Sequence, residues 1–187
     1  MSLSPAQTGT VRLRPATPAD IPLLEAWDRE PHVIACSSDR PDLEVAFDGI
    51  PWAEELAEQS DVTWYRIAEV DEGAGPRPIG VLQVCDPHLE PTHYWGEIEP
   101  GFRAIDIWIG PPDALSKGYG SRMMTLAIND AFASPEVKAI VIDPLNSNTD
   151  AHRFYQRLGF RRIERRMFGE DDCLVMRLER ADWEDRR

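Results

Sequence analysis

The chain has 187 residues, of which 42% are hydrophobic, and its 33 acidic residues outnumber its 20 basic residues, for a net charge of −13. This size fits one α/β domain with a substantial core, and the negative charge argues against a nucleic-acid ligand, whose phosphates would be repelled. No apolar run approaches the length of a membrane span, and three scattered cysteines fit neither a disulfide framework nor a metal site. We therefore expect a cytoplasmic protein that binds no nucleic acid, membrane or metal.

Capping and turn signals predict the elements of the N-terminal half. Residues 1–10 are predicted to be a disordered segment, followed by a strand at 11–15 and a helix that starts after Thr17 and ends near residue 27. Two prolines in residues 30–47 predict an irregular connection, and a second helix is expected around 52–59. The turn residues at 71–78 separate two β-rich segments, 62–70 and 79–86, which predicts a hairpin.

The C-terminal half alternates strands with helices. Residues 87–102 show no periodicity and are predicted to form a binding loop that leads into a strand. We predict strands at 104–109, 139–142, 160–168 and 173–178, helices at 118–133 and 148–158, and a frayed tail at 181–187. The predicted domain therefore covers residues 11–180. Its alternation of strands and helices implies an α/β fold with a parallel or mixed sheet.

The run LSKGYGS at residues 115–121 leads straight into a predicted helix. Gly118 and Gly120 allow a tight turn with its amides directed into one concavity, and a helix start adds free N–H groups and a positive dipole end. The run has neither the lysine and hydroxyl of a nucleoside triphosphatase loop nor the spacing of a dinucleotide loop. It predicts a different kind of phosphate site, although a glycine loop before a helix is often a simple turn.

The run NTDAHRFYQRLGF at residues 148–160 predicts a helix with Asn148 as N-cap and Gly159 as C-cap. Together with the KGYG loop, it resembles the GCN5-related N-acetyltransferase (GNAT) superfamily, which pairs a K-G-x-G type loop with N-x-x-A-x-x-x-Y-x-x-x-G-F. The runs EPGFRAID at 99–106, SPEVK at 134–138 and DPLNSN at 143–148 are similar to the aminoglycoside 6'-N-acetyltransferase branch, whose members confer antibiotic resistance.

The resemblance covers residues 11–178 and implies a single domain with a mixed, mostly antiparallel central sheet, two splayed parallel strands and flanking helices. It also implies acetyl-CoA as cofactor and direct transfer of the acetyl group to an amine in a ternary complex. Backbone amides of the glycine loop would hold the pyrophosphate, and the edge of strand 104–109 would pair with the pantetheine arm. The cofactor-binding residues expected from the resemblance are Ile107, Trp108, Ile109, Lys117, Gly118, Tyr119, Gly120, Ser121, Asn148, Ala151 and Tyr155.

Asp106 and Tyr155 are the predicted catalytic residues. Asp106 interrupts an apolar strand, so its carboxylate must face water, a partner or a ligand. The resembling branch has a functional aspartate there, which favours deprotonating or orienting the substrate ammonium, directly or through water. Tyr155 is a phenol that stays protonated at neutral pH and is the candidate acid for the leaving thiolate, although a tyrosine on an apolar helix face is commonly a core residue.

Acidic and aromatic residues are expected to bind a polycationic small molecule. The predicted substrate-binding residues are Tyr94, Trp95, Glu97, Glu99, Asp106, Asp143 and Glu170. Where the branch has an aromatic pair, this chain has Ala-Cys-Ser-Ser at residues 35–38. Because of this departure, an acyltransferase of siderophore or polyamine metabolism is an alternative function. A non-catalytic acyl-CoA-binding module is a further alternative. A monomer or a homodimer is expected.

Overall fold

The strands of the described chain, residues 9–47 and 51–186, form one seven-stranded sheet in the computed structural model. The strands are β1 (Thr10–Pro15), β2 (Thr63–Asp71), β3 (Pro76–Cys85), β4 (Phe102–Ile109), β5 (Ala139–Ile142), β6 (Arg161–Phe168) and β7 (Asp171–Glu179). The helices are α1 (Ile21–Trp27), α2 (Pro31–Ser37), α3 (Trp52–Ala57), α4 (Tyr119–Ala131), α5 (Thr149–Leu158) and α6 (Arg180–Glu184). The expected disordered segment 1–10 lies outside the described residues except for its last two, and Thr10 already belongs to β1.

The strand order is β1-β2-β3-β4-β5-β7-β6, and β4 with β5 is the parallel pair in an otherwise antiparallel sheet of the described residues. This arrangement confirms the predicted mixed, mostly antiparallel sheet. The predicted hairpin is also confirmed, because β2 and β3 pair antiparallel up to their turn. In that turn, Asp71 Oδ1 accepts hydrogen bonds from the N–H groups of Gly73 and Gly75. Among the described residues, no helix combines the length and apolar character that a membrane crossing needs.

β4 and β5 run side by side for only three residues before they separate. Their pairing ends at Ala104 and Val141, whereas β3 accompanies β4 as far as Ile109. From residue 105 onward, the edge of β4 that faces β5 therefore has no strand partner among the described residues. A gap opens between the two strands at their carboxyl ends, and this confirms the expected splay.

β4 presents different side chains to the two faces of the sheet. The side chains of Ile105, Ile107 and Ile109 belong to the main hydrophobic core, which packs against α4 and α5. Ala104 lies in a second cluster on the other face, and Trp108 packs near α1 and α3. Because side chains alternate along a strand, Asp106 shares the face of Ala104 and Trp108. Its carboxylate is carried on the face opposite to α4 and α5.

Two helices form where the sequence pattern predicted none. α2 lies inside the expected irregular connection, because Pro31 occupies the first helical position, where a missing N–H costs no intrahelical bond. α6 replaces the expected frayed tail, because Trp183 is buried and its Nε1 donates to Asn129 Oδ1 at 3.0 Å. The expectations of an irregular connection throughout 30–47 and of a frayed tail at 181–187 are therefore wrong.

Candidate active site

The carboxylates of Asp106 and Asp143 lie level with each other where β4 and β5 separate. Ala104 pairs with Val141, and two residues further along these parallel segments come Asp106 and Asp143. Burial, and then repulsion by Asp143, raise the pKa of Asp106 to about 7. The Asp106 side chain is nevertheless accessible to solvent. The surrounding protein therefore forms the walls of an open recess with this carboxylate inside it.

Tyr94 holds Asp143 in place. The Tyr94 hydroxyl donates to Asp143 Oδ2 at 2.6 Å, and its ring stacks on Phe168 with centroids 4.6 Å apart and planes 12° from parallel. Burial raises the pKa of Asp143, while the hydrogen bond from Tyr94 acts in the opposite direction. Tyr94 remains 51% exposed. The pair of carboxylates is therefore bordered by an aromatic ring that a ligand can reach.

Tyr155 lies on α5 and reaches the same region from the main core. Its ring is 8% exposed and packs edge-on against Phe154 and Phe160. Burial raises the pKa of Tyr155, and the nearby charges of Asp106 and Asp143 raise it further, so the phenol keeps its proton. Its hydroxyl makes no hydrogen bond within residues 9–47 and 51–186. The proton therefore has no acceptor there other than solvent or a ligand.

The glycine loop turns sharply into α4. Gly118 is the N-cap, with φ of +77°, in a left-handed conformation that a side chain would strain, and a Cβ there would meet no atom within 4 Å. The first N–H groups of α4, which follow it, have no partner within the helix. Gly120 lies in the first turn, where a Cβ would contact the Phe154 ring at 3.7 Å and Ile109 at 3.8 Å. The loop therefore borders both the end of β4 and α5.

Asn148 caps α5, as predicted, and also touches α2. Its Oδ1 accepts the N–H of Ala151 at 3.0 Å, and its Nδ2 lies 3.3 Å from Cys36 Sγ. At the opposite end of α2, His32 Nε2 is 2.8 Å from the carbonyl oxygen of Ile109. α2 therefore bridges the gap, from the end of β4 to the start of α5. Sequence reasoning missed His32, because its ring binds a backbone carbonyl that no motif marks.

Two aromatic residues predicted at the site have buried side chains. Trp95 is 6% exposed and packs edge-on against Phe168 and Tyr94. Since the loop before β4 folds this ring into the core, the prediction that Trp95 stacks on the substrate is wrong, and the ring supports Tyr94. Tyr119 is 1% exposed and its hydroxyl donates to Glu72 at 2.5 Å. Only the backbone N–H of Tyr119 is left for a ligand.

The outer acidic residues do not gather around the carboxylate pair. Glu99 Oε2 lies 3.9 Å from Lys138 Nζ, immediately before β5 and at the opposite end of the strand pair from the gap. Because β4 runs from Glu99 towards the gap, Glu99 lies away from the carboxylate pair, and its contact with the substrate stays a prediction. Glu97 is exposed in the same loop, and Glu170 is exposed in the turn between β6 and β7. Substrate contacts of Glu97 and Glu170 stay predictions.

A row of polar side chains beside Asp106 was not anticipated from the sequence. Gln83 lies opposite Asp106 in the register of β3 and β4, and Tyr65 lies opposite Gln83 in that of β2 and β3. Gln83 Nε2 donates to Tyr65 Oη at 3.0 Å, and the Tyr65 hydroxyl donates to Glu55. One signal was present: Gln83 interrupts an apolar run at 79–84 much as Asp106 interrupts its own strand.

Comparisons with known proteins agree with this geometry. The family model described as "Acetyltransferase (GNAT) domain" matches residues 16–168. "Aminoglycoside N(6')-acetyltransferase type 1" of Klebsiella pneumoniae is 31% identical over 158 residues, which cover 82% of this chain and 75% of that protein. A kanamycin resistance protein of Rhizobium radiobacter is 37% identical over 75 residues, or 40% of this chain and 69% of that protein.

Solved structures show the same fold. The crystal structure of aminoglycoside acetyltransferase AAC(6')-Ib in complex with coenzyme A and kanamycin superposes with a TM-score of 0.76 at 28% identity, over 94% of this chain and 98% of that chain. The structure of AAC(6')-Ib with ribostamycin and coenzyme A gives a TM-score of 0.77 at 29% identity, over 95% and 98%. With the splayed strands, the glycine loop and a family model that spans most of the sequence, the chain belongs to the acetyltransferase (GNAT) family.

Proposed function

We propose that the chain is an acetyl-CoA-dependent N-acetyltransferase that acts on a primary amine of a polycationic small molecule, with the aminoglycoside 6'-amine as first candidate. The observation that carries the proposal is the meeting of Asp106 and Asp143 at the mouth of the gap. Two neighbouring carboxylates repel each other, and an ammonium placed between them relieves that repulsion. The aminoglycosides named in the related structures, kanamycin and ribostamycin, support this class of acceptor.

The residues around the gap fit coenzyme A. The left-handed turn at Gly118 and the free N–H groups at the start of α4 suit a pyrophosphate. Beyond residue 104, the edge of β4 that faces β5 lacks a strand partner within the described part of the chain, so an extended pantetheine arm can pair with it as an added strand would. The residues that would hold the cofactor are Lys117, Gly118, Tyr119, Gly120, Ser121, Asn148, Ala151 and the backbone of Ile107, Trp108 and Ile109. Bound acetyl-CoA supplies the acetyl group as a thioester.

Asp106 and Asp143 orient the acceptor amine and help remove its proton. A carboxylate with a pKa near 7 is a better proton acceptor at neutral pH than an ordinary aspartate, because its basicity is closer to what the step requires. Asp143, held by Tyr94, keeps one oxygen for the hydrogen bond and one for the ammonium. Asp106 then accepts the amine proton, directly or through a water molecule, and passes it to solvent.

Tyr155 supplies the proton for the departing sulfur. With acetyl-CoA and the amine bound, Tyr155 would donate its hydroxyl proton to the departing thiolate and would regain one from solvent. The raised pKa of Tyr155 keeps the phenol protonated at neutral pH, as a hydrogen-bond donor to the thiolate must be. A backbone N–H near residues 107–109, on the free edge of β4, would polarise the thioester carbonyl.

A thiol-release assay across aminoglycosides, polyamines and hydroxamate precursors tests the proposal, with mass spectrometry of the acceptor. We expect kanamycin to release free thiol from acetyl-CoA in equal amount to a singly acetylated product. Activity confined to polyamines or hydroxamate precursors would overturn the aminoglycoside assignment, and the segment with Cys36 in place of an aromatic pair makes those acceptors the proper comparison. Coenzyme A binding by calorimetry without thiol release from any amine would indicate a binding module instead.

A further inference from the structure

A row of polar side chains beside Asp106 crosses three neighbouring strands of the sheet. Tyr65, Gln83 and Asp106 occupy directly opposed positions on β2, β3 and β4, so their side chains share one face. Neighbouring positions on that face are filled by buried Ile67 and Val81. Polar side chains among such neighbours need partners or a ligand. Any atom of the row without a protein partner is therefore a candidate contact for a ligand.

The hydrogen bonds of the row leave acceptor atoms free. The Tyr65 hydroxyl has one proton, and it is donated to a Glu55 carboxylate oxygen. Tyr65 Oη can therefore only accept from Gln83, which fixes the Gln83 amide with Nε2 towards Tyr65. Within residues 9–47 and 51–186, neither Gln83 Oε1 nor the second oxygen of Glu55 has a hydrogen-bond donor, so both can accept from a ligand. A ligand lying along the row would meet acceptor oxygens of Gln83, Glu55 and Asp106, which suit a ligand that carries N–H donors.

The spacing of the strands sets the length that a ligand needs to span the row. Adjacent strands lie about 4.8 Å apart, so the position of Tyr65 is roughly 10 Å from that of Asp106 along the hydrogen-bonding direction of the sheet. Glu55, half-buried on α3, lies at the far end of the row and carries a negative charge. Asp106 and Asp143 carry the negative charge at the near end. Two separate anionic positions thus face one side of the sheet, joined by hydrogen-bond acceptors.

We propose that Glu55, oriented by Tyr65 and Gln83, binds a second ammonium group of the acceptor while the reacting amine lies at Asp106 and Asp143. This inference rests on the proposed function and narrows its substrate class to extended cations with two ammonium groups roughly 10 Å or more apart. Glu55 is then a specificity-determining residue. A short diamine cannot reach both ends of the row, whereas a long diamine or a multi-ring amino sugar can.

The test is steady-state acetylation of a diamine series by the full chain and its Glu55→Gln variant. The series runs from diaminopropane to diaminooctane, with a simple alkylamine as the monoamine reference. We expect Glu55→Gln to raise KM for diaminooctane about five- to tenfold, with kcat little changed, because one charge contact to a remote group is lost. KM for the alkylamine and for diaminopropane should stay the same.

Glu54→Gln is the matched control, since Glu54 is an exposed acid in the same first turn of α3 and its loss changes net charge and helix dipole equally. Tyr65→Phe frees Glu55 from its anchor and should raise KM for diaminooctane in the same selective way, which keeps the inference testable if Glu55→Gln is unstable. Equal effects on short and long amines, or an equal effect of Glu54→Gln, would overturn the inference. Absence of acetylation of any amine by the wild type would instead contradict the proposed function.

Discussion

Replacing Asp106 with asparagine is expected to remove most acetyl transfer while making the folded protein more stable. In the fold, burial and then repulsion by Asp143 raise the pKa of Asp106 from 3.8 to about 7. Taken in full, this rise corresponds to about 4 kcal/mol against folding, but the side chain is solvent-accessible, and screening reduces the figure to about 1–2 kcal/mol. For a domain of this size, Asp106→Asn should raise Tm by roughly 3–6 °C.

The stability gain has a defined pH dependence. The unfolded carboxyl loses its proton near 3.8, whereas the folded one keeps it up to about 7. Between these values the unfolded state binds fewer protons than the folded state, so the stability of the wild type falls as pH rises and remains lowest above about 7. The asparagine side chain does not titrate, so it adds no such pH dependence to the stability of the variant. The free energy of unfolding of Asp106→Asn should therefore exceed that of the wild type by more at about pH 8 than at about pH 5.

Urea unfolding at both pH values measures the difference, with Asp61→Asn as the control for losing one exposed negative charge. Thiol release by the same preparations should fall by about 10²–10⁴ for Asp106→Asn and stay unchanged for Asp61→Asn. A variant less stable than the wild type at about pH 8 would refute the idea that the fold forces two carboxylates together. Wild-type turnover by Asp106→Asn would remove this residue from the mechanism.

Three further variants probe other parts of the account. Tyr155→Phe should lower turnover about 10²-fold or more while Tm stays nearly unchanged, because the lost hydroxyl makes no hydrogen bond within the described residues; equal losses of stability and activity would contradict its role as acid. Asp20→Asn should cost about 2–4 kcal/mol in urea unfolding, because Asp20 accepts two hydrogen bonds from Arg14. Since that contact lowers the pKa of Asp20 below 3.8, the wild-type advantage should hold above this pH and disappear below it, and an advantage that persists in acid would count against the ion pair. Trp183→Ala should cost about 3–5 kcal/mol, and a neutral result would show that α6 does not anchor the C-terminal end.

Capping residues and hydrophobic patterns in the sequence were enough to predict many of the helices and strands. The bounds of β5 match the prediction, and α5 was found because Asn148 and Gly159 mark its two ends. The GNAT family and its sheet could be predicted from two motifs at a fixed separation, the glycine loop and the capped helix. Both motifs border the gap between β4 and β5. The two prolines of residues 30–47 predict a break in helical structure, whereas Pro31 begins α2, where the missing N–H costs no intrahelical bond.

The arrangement of the site depended on information that no single segment contains. The level positions of Asp106 and Asp143 follow from the register of β4 and β5, which the separate strands do not reveal. The position of Gln83 beside Asp106 likewise follows from the register of β3 and β4, which no single strand reveals. Trp95 was misplaced because an aromatic residue in a polar loop can either bind a ligand or anchor the loop, and here it anchors the loop.

Hydrogen exchange of the backbone amides, measured with and without coenzyme A, tests most directly the claim that one gap between β4 and β5 holds the cofactor beside the carboxylates. We predict slower exchange in residues 105–109, along the free edge of β4, and in residues 117–121, at the start of α4, with little change in β1 or β6. Unchanged exchange in both segments at saturating coenzyme A, or protection confined to another part of the chain, would contradict the claim.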